Sequence, residues 1–331
     1  MKVCVFGIGA VGGYLAARLG HAPGVELSVI ARGQQLKAIQ ANGLRVEVFD
    51  GQTYQSKPAH ATDDPATLPE QDIVFVTLKS MAQAGVARQL RRLVGDKGHV
   101  VFCNNGIPWW WNHGTANPAP LPLLDAGSAL WNDLGAERAL GCVIYSANEV
   151  IAPGVVRNTQ GNRWVVGEPD NSASERVQRT VALMQSCGVN GDPTTNIRHE
   201  VFAKLMRNAA YNTVAALTGL PVEWFSTDES IKALLRAVVE EMTAIASALG
   251  LDMAESRAAA LKLKELPPGM TFAQGQKPSM LQDVVARRPM EVEALLGQVC
   301  AFADEKGVPC PSAKALLALL RGLDMRLKMP A

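Results

Sequence analysis

Residues 1 to 32 constrain this chain more than any other stretch. Val3 to Phe6 form a short apolar, β-branched run, and Gly7, Gly9 and Gly12 follow it at the G-x-G-x-x-G spacing. A helical run comes next, and Glu26 to Ala31 return to strand composition. In such a unit the first glycine permits a tight turn, the second clears side chain from the path of a pyrophosphate, and the third lets the helix pack closely on the sheet. The free amides at the helix start then face the phosphates. Glycine turns are common, so a lone motif says little. Strand, helix and second strand within about thirty residues are what the dinucleotide fingerprint requires.

The tip of the second strand decides which dinucleotide is meant, because it lies beside the adenine ribose. No Asp or Glu occurs between Ser28 and Lys37, and Arg32 stands where an acid would otherwise accept from the 2′-hydroxyl. A guanidinium there attracts a 2′-phosphate, so the expected cofactor is NADP. A solvated surface arginine is the competing reading of that residue alone.

A chain of 331 residues exceeds most single cores, and 48% hydrophobic residues suffice for two. Lys and Arg number 32 against 31 acids, a net charge of +1, which provides no general field for nucleic acid or an anionic membrane. The six cysteines form no C-x-x-C pair and read as small core residues, giving neither a zinc site nor a disulfide framework. No apolar stretch reaches the ~20 residues of a bilayer span, and the opening run carries glycines and Arg18 without a cleavage pattern. The expectations are no metal, no membrane, a cytoplasmic location and a small-molecule substrate, with a homodimer left open.

Asp72 to Leu78 and His99 to Cys103 are nearly unbroken apolar runs, as parallel strands covered on both faces should be. They end in Lys79-Ser80 and Asn104-Asn105-Gly106, and the carboxyl ends of such strands are where ligands bind. Asn-Gly is also turn chemistry in its own right. Residues 109 to 125, with three consecutive tryptophans and three prolines, are irregular. Short strands around Pro153-Gly154 and Gly161-Asn162 turns follow, then a helix from about Ser172 to Cys187. Gly188 to Asn196 is the best linker candidate. Beyond it helical periodicity covers 198–217, 230–249, 254–264 and 291–306. The expected fold is α/β, with an N-terminal Rossmann-like parallel-sheet domain over 1–191 and a C-terminal all-α domain over 192–331.

The helix from Arg198 places Lys204, Asn208 and Asn212 at i, i+4 and i+8, bordered by Phe202, Leu205, Met206, Ala209, Ala210 and Val214. One proton donor and two amides on one stripe suit a carbonyl being reduced and its neighbours being oriented. A solvated helix face is the alternative. Further on, Ser279 opens Ser-Met-Leu-Gln-Asp as a candidate cap of a short helix, and Glu291 falls in the first turn after Pro289.

Taken in order, Gly-x-Gly-x-x-Gly at 7 to 12, Arg32, Leu78-Lys79-Ser80, Asn105-Gly106, Lys204 with Asn208 and Asn212, and Ser279 to Asp283 with Glu291 resemble the ketopantoate reductases (2-dehydropantoate 2-reductases) over nearly the whole chain. The resemblance implies NADPH-dependent reduction of a 2-oxo acid in a cleft between a Rossmann-like and a helical domain. It makes Lys204 the general acid, Glu291 its orienting partner, and Asn208, Asn212 and Ser279 substrate contacts. Gly7, Gly9, Gly12, Arg32, Lys79 and Asn105 fall to the cofactor side. Two departures stand out: Thr213 where the family usually has proline, and Trp109-Trp110-Trp111 after the Asn-Gly, where one ring is expected to wall the cleft, and would then favour a bulkier 2-oxo acid, the alternative being a satellite core under a long loop. A 3-hydroxy acid dehydrogenase and a non-catalytic NADPH sensor are the rival readings.

Overall fold

The computed structural model describes residues 1–329, which divide into two compact units. The first comprises Met1–Asn104 and Pro108–Arg198; the second comprises Asn105–Ile107 and the chain from His199 onward.

The first unit holds a ten-stranded sheet. Its strands are β1 (Lys2–Phe6), β2 (Glu26–Ile30), β3 (Leu44–Glu47), β4 (Thr53–Ser56), β5 (His60–Thr62), β6 (Ile73–Val76), β7 (His99–Phe102), β8 (Ala139–Ala152), β9 (Val155–Gly167) and β10 (Asn190–Thr194). Its helices are α1 (Ala10–Leu19), α2 (Gly33–Asn42), α3 (Ser80–Gln83), α4 (Ala87–Val94) and α5 (Glu175–Ser186). The order across the sheet is β4-β3-β9-β8-β7-β6-β1-β2-β5, with β10 alongside β9. Pairing is parallel except for β3 with β4 and β8 with β9. β1 lies between β2 and β6, so the chain leaves it in one direction and later returns on its other side, and the crevice of an open α/β sheet opens at such a reversal. β6 and β7 are buried at every position, which explains their lack of apolar–polar alternation.

Two local expectations are corrected here. The segment expected to be a linker contains β10, which pairs in register with the end of β9, Asn190 against Arg163 through Thr194 against Gly167. Contacts therefore divide the chain after Arg198 rather than at 191/192. Gly161-Asn162 is not a turn between short strands. It lies inside the 13-residue β9, where the register against β8 slips between Tyr145 and Ala147.

The three tryptophans are 4% exposed or less. Trp109 meets Phe102 edge-to-face at 5.3 Å, and Trp110 covers Gly141, where a Cβ would lie 2.5 Å from the indole. Arg198 Nε donates to the Trp111 carbonyl at 2.8 Å. The expectation of a ring walling the site is overturned, because none of the three has free surface to offer. Indoles bury large area when other side chains surround them, and here the sheet and its connections do so.

The second unit is helical, with α6 (Ile197–Thr218) entering from the first unit, then α7 (Glu229–Ala248), α8 (Ala254–Leu261), α9 (Ser279–Val285), α10 (Gln298–Lys306) and α11 (Pro311–Lys328). The region expected to be one helix over 291–306 is a π-helical turn, Glu293–Gly297, running into α10. Ser279 is the first residue inside α9 and makes no capping bond; Pro278 holds the cap position, as its fixed φ favours at a helix entrance. All six cysteines are buried and free. No described helix is long and apolar enough to cross a membrane.

Candidate active site

The turn after β1 is built as the glycine spacing demands. Gly7 has φ +103°, and its amide donates to the Ile30 carbonyl at 3.0 Å, locking the turn to β2. Thr77, just past β6, donates its hydroxyl to the Gly7 carbonyl. A Cβ at Gly12 would strike both that carbonyl and the Thr77 hydroxyl, whereas one at Gly9 would meet nothing within 4 Å. Gly12 thus serves close packing, and Gly9 faces open space at the start of α1. The first turn of α1 carries no acid, so its amides and dipole are free to receive an anion. Thr77 was invisible to motif reading; only the parallel pairing of β1 with β6 brings it to the turn.

Arg32 is exposed at the cap position before α2, one residue beyond Ala31, whose amide is tied to the Thr62 carbonyl. Its guanidinium has no carboxylate partner among the described residues. Lys79 caps α3 at the end of the β6 segment and is partly exposed. The residues of the first unit therefore fit a dinucleotide: an open glycine face and an uncharged helix start, with the Arg32 guanidinium beyond the tip of β2.

In the second unit, Lys204 Nζ donates to Asn105 Oδ1 at 2.7 Å across 99 positions of sequence. Asn105, expected on the cofactor side, is thereby tied to the lysine on α6. The three residues Asn105–Ile107 belong to the helical unit because they are stitched to the π turn. Ile107 N donates to Ala294 O at 2.8 Å, and Gly106, with φ +82°, passes so close that a Cβ would lie 2.5 Å from the Ala294 carbonyl carbon. Gly106 therefore does more than make a turn; it admits the backbone of Ala294.

Glu291 is partly buried on the segment leading into that turn, where its carbonyl accepts from Leu295 N at 3.0 Å. On α6, Asn208 is partly buried and Asn212 is 6% exposed, and neither amide makes a side-chain hydrogen bond among the described residues. Their amides are bordered by apolar residues of the helix and are suited to a bound ligand or water. Ser279 is exposed, and no hydrogen bond joins it to Lys204, Asn105 or the two asparagines. The arrangement provides one cationic proton donor held by a charge-assisted bond, with directional amides one and two turns further along the same helix.

The two halves of the chain match family models in the same order. Residues 3–171 match the model described as ketopantoate reductase PanE/ApbA, and residues 196–324 match its C-terminal model.

The chain belongs to the ketopantoate reductase family.

A 2-dehydropantoate 2-reductase of Mesorhizobium japonicum is 38% identical over 326 residues, 98% of each chain. Among solved structures, a PanE/ApbA family ketopantoate reductase from Ralstonia eutropha is 28% identical with a TM-score of 0.82, covering 99% of this chain and all of that one. D-mandelate dehydrogenase, solved with NADH and anilino(oxo)acetate, shares the fold at a TM-score of 0.82 with 17% identity over 99% of this chain. This ketopantoate reductase family member is thus an oxidoreductase of a nicotinamide-dependent family. Among its described residues no group of three or more His, Cys, Asp or Glu could hold a metal ion.

Proposed function

We propose that this reductase converts 2-dehydropantoate to pantoate with NADPH, a step of pantothenate biosynthesis. The observation that carries the reading is the 2.7 Å bond from Lys204 Nζ to Asn105, on the same helix as the two unpartnered amides of Asn208 and Asn212. Gly7, Gly9, Gly12 and the start of α1 would hold the pyrophosphate, and Arg32 the 2′-phosphate. When bound, the dinucleotide supplies hydride to the carbonyl carbon.

Lys204 supplies the proton. As the carbonyl oxygen gains negative charge, the ammonium at Nζ becomes its general acid, and the C=O becomes C–OH. Asn105 keeps that ammonium oriented by accepting one of its N–H bonds. Asn208 and Asn212 orient the carboxylate and hydroxyl groups, Glu291 acts as the partner of Lys204, and Ser279 supplies a further substrate contact.

The test is NADPH oxidation against a panel of 2-oxo acids by the native protein and by Lys204→Ala. Ketopantoate should have the highest kcat/KM, and Lys204→Ala should lower turnover by roughly 10²- to 10⁴-fold with little change in NADPH affinity. Near-native turnover in Lys204→Ala would remove the lysine from the chemistry.

A further inference from the structure

The segment bearing Glu291 is held from both sides by α11. Asp324 is 8% exposed, and its Oδ1 accepts from Met290 N at 2.8 Å, one residue before Glu291. Two residues after it, Glu293 receives two parallel bonds from Arg321, Nε at 2.8 Å and a terminal nitrogen at 2.7 Å. Lys328, one turn beyond Asp324, pairs with its other oxygen at 2.5 Å. The backbone at Glu291 is thus bracketed by a buried carboxylate and a bidentate ion pair, both from one helix.

The following residues are the π turn, whose Ala294 carbonyl anchors Ile107. The chain of contacts runs from α11 to Met290 and Glu293, through Ala294 to Asn105–Ile107, and so to Lys204. π turns are often retained where a helix must present a functional side chain. Here Gly297 makes room for the Glu293 carboxylate, which a Cβ at that position would strike.

We propose that Asp324 and Arg321 are positioning residues for Glu291, so that α11 sets the geometry of the acid–lysine pair without touching substrate. The inference rests on the reading of Glu291 as the partner of Lys204. The Asp324 carboxylate accepts the Met290 N–H with one oxygen and pairs with Lys328 through the other, which fixes the segment before Glu291. Displacing a reacting group by about 1 Å costs on the order of 10²-fold in rate.

The experiment is a double-variant cycle with Asp324→Ala and Glu291→Gln, reading kcat, KM, NADPH Kd and Tm. Asp324→Ala should lower kcat roughly 10- to 100-fold at a temperature well below its Tm, with NADPH Kd unchanged. The double variant should be no worse than Glu291→Gln alone, because a residue acting through Glu291 has nothing left to position. Asp324→Asn, which retains an oxygen for Met290 N–H, should recover most of the turnover. If Asp324→Ala does not fold, Arg321→Met releases Glu293 and is read in the same cycle. Additive losses, or full turnover in Asp324→Ala while Glu291→Gln is impaired, would overturn the positioning role and leave the functional reading intact. Full turnover in Glu291→Gln would overturn the role given to Glu291, and with it this inference, while leaving the reductase reading intact.

Discussion

Replacing Gly106 by alanine tests the site at its tightest point. The residue has φ +82°, which an L side chain adopts at about 1 to 2 kcal/mol. The new Cβ would stand 2.5 Å from the Ala294 carbonyl carbon and 2.9 Å from its Cβ, against the 3.4 Å at which ordinary contact begins. Residues 105–107 must therefore back away by about 0.5 to 1 Å, which stretches the 2.7 Å bond between Lys204 and Asn105 to about 3.2 to 3.7 Å, where its hold on the ammonium weakens or is lost. The Ile107–Ala294 bond goes with it, another ~1 kcal/mol. Turnover should fall roughly 10- to 100-fold, since a donor misplaced by about 1 Å loses that much. NADPH affinity should hold, because the turn at residues 7–12 is built within the first unit. The assays are steady-state NADPH oxidation, fluorescence titration with NADPH and thermal unfolding. Gly106→Ala with native turnover and native Tm would refute the close approach to Ala294 and the role given to Asn105.

Arg32→Asp should reverse the NADPH-over-NADH preference, since one charge-assisted bond to the 2′-phosphate is worth about 1.5 to 3 kcal/mol; equal use of both dinucleotides by the native protein would defeat the assignment. Burial, then the charges of Arg176 and Arg179, lower the pKa of His99 from 6.5 to about 4, with Asp72 opposing. Its ring is neutral in the fold, and Nε2 donates to Thr180 Oγ1 at 2.9 Å while that hydroxyl donates to the Arg176 carbonyl. The unfolded chain takes up the proton first, so the contribution is whole above pH 6.5. About 3 kcal/mol should then be lost as pH falls from 6.5 through about 4, a loss that urea titrations should find diminished in His99→Gln. Trp110→Ala should destabilise by about 3 to 5 kcal/mol yet leave the ratio of kcat/KM between ketopantoate and bulkier 2-oxo acids unchanged; a changed ratio would return that ring to the substrate pocket.

What was readable without coordinates depended on local spacing. The glycine turn, the buried strands at 73–76 and 99–102 and the stripe of Lys204, Asn208 and Asn212 each follow from residues within one or two turns of one another. Periodicities of 2 and 3.6 are properties of the backbone, and a chain carries them wherever it goes. Ser279 shows the limit even at short range. Its composition suits a cap, but Pro278 already occupies that position, and one residue of shift turns a cap into an ordinary first-turn side chain.

The tryptophans and β10 were misread for a different reason. Indole runs read as a pocket wall when nothing indicates which elements cover them, and a glycine- and proline-containing stretch reads as a linker until β9 supplies a partner edge. The sequence by itself determined the dinucleotide turn, the division into a sheet unit and a helical unit, and the candidate proton donor. Only the tertiary structure decided that Asn105 belongs with Lys204, that Gly106 is required by Ala294, that Thr77 locks the glycine turn and that α11 brackets Glu291. Those pairs lie between 28 and 188 positions apart, and at such separations contact is set by how whole elements pack, which no short-range pattern of residue types encodes.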